Sequence, residues 1–183
     1  MYAGSGCFNE PEPAYKSVPA ENRVYLSDKG LTAIPEVNAK ADYLNLDRNQ
    51  LEKADGVEKL TELKWLRLND NRLSALPDLK DLVNLRRIYL RNNRFTAVPE
   101  TLKELPALTD IDLSGNPVKE IPQWLAEKKG LKNLSFSRTQ ISRLPENLAA
   151  WKTLQCLQLG DLNISAAEMA RIRSALPTVA IVF

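Results

Sequence analysis

Apolar and polar residues alternate along this chain in short runs that return at a nearly fixed interval. One run reads Leu44-Asn-Leu46-Asp-Arg-Asn49-Gln-Leu51. It recurs as Leu66-Arg-Leu68-Asn-Asp-Asn71-Arg-Leu73, as Ile88-Tyr-Leu90-Arg-Asn-Asn93-Arg-Phe95 and as Ile111-Asp-Leu113-Ser-Gly-Asn116-Pro-Val118. The first apolar residues of successive runs are Val24, Leu44, Leu66, Ile88, Ile111, Leu134 and Leu157, separated by 20, 22, 22, 23, 23 and 23 residues. A further step of 22 lands on Val179, which opens the terminal run Val179–Phe183 and makes eight strand positions. A period near twenty marks a solenoid rather than a globule around one central core. Alternation with period two marks strands. Each is too short to stand alone, so stacking in parallel must pair its backbone and bury its leucines. Truncating one such leucine to alanine should cost about 2–5 kcal/mol.

The column Asn49, Asn71, Asn93, Asn116 follows the strands at constant offset. A sharp turn after each strand leaves backbone groups that no ladder can pair. A buried amide can bond them in its own coil and the next, and losing one partner costs about 1–3 kcal/mol. The column lapses at Lys29, Thr139 and Leu162, where looser or terminal coils are expected. Beyond each turn stands an apolar-proline pair: Ile34-Pro35, Leu76-Pro77, Val98-Pro99, Ile121-Pro122 and Leu144-Pro145. Proline fixes φ and lacks a donor, which suits the extended start of a return segment. Glu100–Leu105 and Glu146–Trp151 then read as short helical turns. Ala54-Asp55 replaces the pair in one coil, which should differ locally.

The whole pattern, Leu-x-x-Leu-x-Leu-x-x-Asn-x-Leu-x-x-Leu-Pro, resembles the leucine-rich repeat family, from about Val24 to the C-terminus. The resemblance implies an α/β horseshoe. Parallel strands would line its concave face, short helical or extended segments its convex face, and a helix and strand would cap its C-terminus. It also implies protein recognition on the concave face. The expected organisation is a flexible or extended tail over residues 1–19, repeats over 20–164 and a cap over 165–183.

At the C-terminal end, Ser165-Ala-Ala-Glu168 has capping-box spacing and opens a helix over Ala166 to about Ala175, with Met169, Ile172 and Leu176 toward the core. This is similar to the terminal cap of many bacterial leucine-rich repeat proteins. At the other end, Glu10-Pro-Glu-Pro13 must be extended. Gly4-Ser5-Gly6-Cys7 resembles the end of a bacterial lipoprotein processing site, although the preceding hydrophobic stretch and its usual Leu at the place of Gly4 are missing. Cys7 is thus a lipidation candidate; the alternative is a disordered tail with an incidental cysteine. Cys7 and Cys156 are far apart, with neither metal spacing nor a disulfide framework, and no bridge between them is expected.

The register also places the outward residues. One column runs Tyr43, Trp65, Arg87, Asp110, Asn133, Cys156. The next runs Tyr25, Asn45, Arg67, Tyr89, Asp112, Ser135, Gln158, and a third Ser27, Asp47, Asn69, Arg91, Ser114, Ser137, Gly160. With coils about 4.8 Å apart, the strip is about 34 Å long. Its large groups gather in the early and middle coils as Tyr43, Trp65, Arg67, Arg87, Tyr89 and Arg91. Aromatic residues and arginine dominate interface hot spots, so a partner footprint is expected there, on an exposed face whose Trp65 can be truncated with little loss of stability. The competing reading is internal satisfaction, with Trp65 and Arg87 as a cation–π pair and Arg87 and Asp110 as a surface ion pair.

Composition narrows the function further. Lys+Arg 25 against Asp+Glu 23 argues against nucleic-acid binding. Histidine is absent, which removes the usual general base and the commonest metal ligand. No apolar run reaches the length of a membrane span. Asp47, Asp70, Asp110 and Asp112 could be taken for hydrolytic pairs, but a smooth strand face offers no cleft. Arg48, Arg67, Arg72, Arg87, Arg91 and Arg94 form a locally basic zone diluted by aspartates. Asn133-Leu-Ser135 and Asn163-Ile-Ser165 match the N-glycosylation pattern, the first on a strand and the second beside the cap. The reading is a non-enzymatic module, without cofactor, that binds a protein or peptide. The alternative is a surface-anchored structural or carbohydrate-contacting lipoprotein. The location expected is extracytoplasmic in a bacterium, periplasmic or cell surface, with cytoplasmic as the alternative.

Overall fold

The computed structural model describes residue 8 and residues 20–183. Among these, eight parallel strands form one sheet in chain order: β1 Arg23–Tyr25, β2 Tyr43–Asn45, β3 Trp65–Arg67, β4 Arg87–Tyr89, β5 Asp110–Asp112, β6 Asn133–Ser135, β7 Cys156–Gln158 and β8 Ala180–Val182. Val24, Leu44, Leu66, Ile88, Ile111, Leu134 and Leu157 are direct cross-strand partners throughout, as the sequence spacing requires. Apart from the half-buried Val24, they lie fully buried in one elongated leucine core. Neighbours in sequence alternate faces along a strand, so the residues flanking these markers project to the concave side.

The last strand departs from the expected step. Leu157 pairs with Ile181, not Val179. A slip of two residues preserves which face every side chain occupies, so alternation alone could not separate the two registers. Val179 is still buried and packs in the core just ahead of the strand.

Each coil turns through a residue in the left-handed region immediately before the asparagine column: Asp28, Arg48, Asp70, Asn92, Gly115, Arg138 and Asp161. Aspartate and asparagine tolerate that conformation; arginine is less suited to it. The return segments form 3-10 turns at Val57–Lys59, Glu100–Leu102 and Ala149–Thr153, and a short helix, α1, at Gln123–Glu127. The helical turn expected over Glu146–Trp151 thus lies slightly later in the chain. Pro99 and Pro122 stand extended immediately before their helical turns. The coil with Ala54-Asp55 differs locally, since it turns at Gly56 with φ 101° and Gly56 N–H donates to Glu58 Oε2 at 2.7 Å.

A helix, α2, spans Ala166–Ala175, and Ser165 Oγ accepts from Glu168 N–H at 3.1 Å. Ile172 and Leu176 are buried and Met169 packs against the core. The reciprocal half of the capping box is replaced. Glu168 Oε1 instead accepts from Leu144 N–H at 3.1 Å and from Arg171 at 2.6 Å, while Arg171 Nη2 donates to Leu144 O at 2.9 Å. Side-chain pairing thus clamps the cap onto the preceding coil.

Candidate functional site

The asparagine column lies beneath the concave face and fixes its shape. Asn93 Nδ2 donates to Leu90 O of its own coil at 3.0 Å and to Leu68 O at 2.9 Å, and its Oδ1 accepts from Leu73 N–H at 3.0 Å. Asn49, Asn71 and Asn116 repeat the arrangement. The second coil reached is therefore the preceding one, not the next as anticipated. Thr139 offers one hydroxyl, which donates to Phe136 O at 2.7 Å within its own coil. A hydroxyl carries one proton where an amide carries two.

Above this framework, Tyr43, Trp65 and Tyr89 form an aromatic cluster distinct from the leucine core. Tyr43 and Trp65 meet edge to face at 5.8 Å between centroids, and Trp65 and Tyr89 at 5.9 Å. Tyr25, 56 % exposed, extends the series to the first strand at 5.3 Å from Tyr43. Arginines interleave with the rings. Arg87 lies over Trp65 at 4.2 Å and Arg67 over Tyr89 at 5.6 Å. Arg67 also pairs with the buried Asp47 at 2.7 Å, and Arg91 with Asp70 at 3.5 Å. Five of the residues singled out from the sequence, Tyr43, Trp65, Arg67, Arg87 and Tyr89, therefore share one patch across β2 to β4, while Arg91 stands just beyond β4.

One expectation is corrected here. The aromatic patch is not open to solvent: Tyr43 is 3 %, Trp65 9 % and Tyr89 6 % exposed. Their phase is concave, as assigned, but the cluster is covered, and a half-buried ring from outside the repeats packs on it. Phe8 meets Tyr89 edge to face at 5.8 Å and 81°. A repeat pattern says nothing about a segment that lies outside the repeats, so this contact had no signal in the periodicity.

The cysteine reading is corrected as well. Cys156, on the concave side of β7, is disulfide-bonded. Sequence separation is a poor guide to distance once a solenoid places residue 156 on the same face as the early coils. The lipidation candidate Cys7 lies outside the described residues.

The later coils carry small polar groups and two buried carboxylates. Burial pushes the Asp112 carboxyl above its ordinary 3.8, opposed by hydrogen bonds from Ser114 N–H at 2.9 Å and Ser114 Oγ at 2.6 Å. Asp110 is raised for the same reason, opposed by hydrogen bonds from Thr109 and Asn133; Arg87 stands 3.9 Å away, too far for a strong pair. Asn133, of the first glycosylation pattern, thus donates to Asp110. These carboxylates are absorbed by local bonding. A groove of about 610 Å³ lies instead between the first two return segments, lined by Ile34, Pro35, Val37 and Leu60 among others. Among the described residues, no cluster of His, Cys, Asp and Glu is arranged to hold a metal ion, and no helix is long and apolar enough to cross a membrane.

The leucine rich repeat family model matches residues 61–118. That stretch holds three of the four column asparagines; outside it the Asn49 coil keeps the motif, and the coils at Lys29, Thr139 and Leu162 depart from it. Among solved structures, the LRR protein LIC12759 of Leptospira interrogans aligns with TM-score 0.66 and 29 % identity, over 85 % of this chain and 38 % of its own. The chain therefore spans well under half the length of that protein. None of the curated proteins matches it. The coils, the asparagine column and these likenesses show a leucine-rich repeat solenoid.

Proposed function

We propose that the concave face is a recognition surface for a protein or peptide, centred on Tyr43, Trp65, Arg67, Arg87, Tyr89 and Arg91. One observation carries this reading: an aromatic cluster outside the core accepts an aromatic side chain, Phe8, from beyond the repeat stack. Three rings and their interleaved arginines supply a large apolar area with polar edges, the composition of interface hot spots. The pairing of Arg67 with Asp47 and the seating of Arg87 on Trp65 hold the patch in shape before a ligand arrives, which lowers the ordering cost of binding.

Selection of displayed peptides on the full chain tests this, with binders re-assayed on Trp65→Ala and Tyr89→Ala. Ligands of the proposed face lose binding to both variants and keep it on Lys119→Ala, an exposed position in the return segment before α1. If every selected ligand binds Trp65→Ala and Tyr89→Ala as well as the parent, the site is wrong.

A further inference from the structure

Building on that reading of the concave face, we infer that its resident ligand is the chain's own N-terminal segment. Phe8 is seated on Tyr89, and a Cys7–Cys156 disulfide holds the segment, so an outside partner must displace it. Two observations made on different strands meet here. The aromatic cluster on β3 and β4 is covered, with Phe8 packed on it. Cys156, on β7 of the same face, is disulfide-bonded, and the sequence contains one other cysteine, at position 7, next to Phe8.

The dimensions agree. From β4 to β7 is three strand spacings, about 14 Å. Bonded cysteines hold their Cα atoms about 5.5–6 Å apart, and the adjacent Cα adds about 3.8 Å. The Phe8–Tyr89 ring contact spans a further 5.8 Å. Together these cover the gap. From Phe8 the chain must then return to residue 20, where the first coil begins, again three spacings and well within reach of the intervening residues.

Opening the tether takes two electrons and two protons. A dithiol attacks the disulfide, leaves as its own cyclic disulfide and yields two thiols. An oxidising compartment keeps the strap closed. One sulfur cannot serve both bonds, so a lipidated Cys7 excludes the tether.

The test uses the full oxidised chain. Proteolysis without reduction should yield a linked pair of peptides containing Cys7 and Cys156 that separates on reduction with dithiothreitol. Free thiols at both positions, or a lipidated Cys7, overturn the tether. Occupancy is read separately, with Phe8→Ala combined with Cys7→Ser in a Trp124→Phe background. Acrylamide quenching of tryptophan fluorescence should rise relative to the Trp124→Phe parent as Trp65 is uncovered. A synthetic peptide of residues 5–13, with serine in place of its cysteine, should bind the opened variant and not the oxidised parent. Unchanged quenching together with equal peptide binding overturns the resident ligand. Both substitutions lie outside the leucine core, and a retained melting temperature verifies the fold. These failures would leave standing an outside ligand that depends on Trp65, which belongs to the preceding test.

Discussion

The guanidinium of Arg87 sits 4.2 Å above the Trp65 ring, its direct cross-strand partner one coil away. Its pairing with Asp110, at 3.9 Å, is much looser. Of these two partners, the ring is the better placed to position this arginine. Arg87→Met keeps the stem and removes the cation, and should destabilise the protein by about 0.5–2 kcal/mol. Asp110→Asn should cost less. Chemical denaturation of the two variants decides the order, and a larger loss at Asp110 would assign the arginine to the ion pair instead.

The asparagine column makes a graded prediction. Asn93→Ala strands Leu73 N–H, a loss of about 1–3 kcal/mol for a group left unpaired and buried, and takes one of two amide donors from Leu68 O and Leu90 O, which keep Asn71 and Asn116. Thr139→Ala removes a strong bond in one coil. Thermal melts should show Asn93→Ala as clearly the more damaging, whereas equal losses would mean that the contact to the preceding coil contributes nothing.

Two carboxylates should respond to pH with opposite sign. Burial raises Asp112 in the folded state, so the unfolded chain ionises first, near 3.8. Stability attributable to this group falls as pH rises from below 3.8 through the folded pKa, then levels off. Relative to the parent, Asp112→Asn should gain stability across that window. Glu168 is lowered, chiefly by its hydrogen bond with Arg171, from an ordinary 4.5. Its contribution is present above 4.5 and lost as pH falls through the folded pKa, so Glu168→Gln should be weaker than the parent at neutral pH and match it in acid. Denaturant midpoints measured between pH 3 and 7 test both signs.

Strand register from Val24 to Leu157 was legible because one apolar residue per coil is locked to its neighbours by the buried face. The cap helix was legible because Ser165 and Glu168 carry a local signal. The offset of β8 was not, since Val179 and Ile181 share a face. Glu168 left its reciprocal cap because Arg171 and the Leu144 amide, distant or unspecified in sequence, compete for the same oxygens. At the candidate site the positions of Tyr43, Trp65 and Tyr89 followed from periodicity, but their covering did not. Phe8 and the disulfide at Cys156 are contacts made by or with parts of the chain that no repeat encodes.

A ligand of the proposed face should engage the aromatic patch and leave the rest of the solenoid untouched. The chain has three tryptophans, each with one indole N–H resonance. Trp65 lies in the patch, Trp124 in α1 on the return side, and the buried Trp151 donates to Leu125 O at 2.9 Å. Titration of a selected ligand into the nitrogen-15-labelled chain should move the Trp65 indole signal and leave the other two in place. Movement of Trp124 or Trp151 with Trp65 stationary would contradict the account.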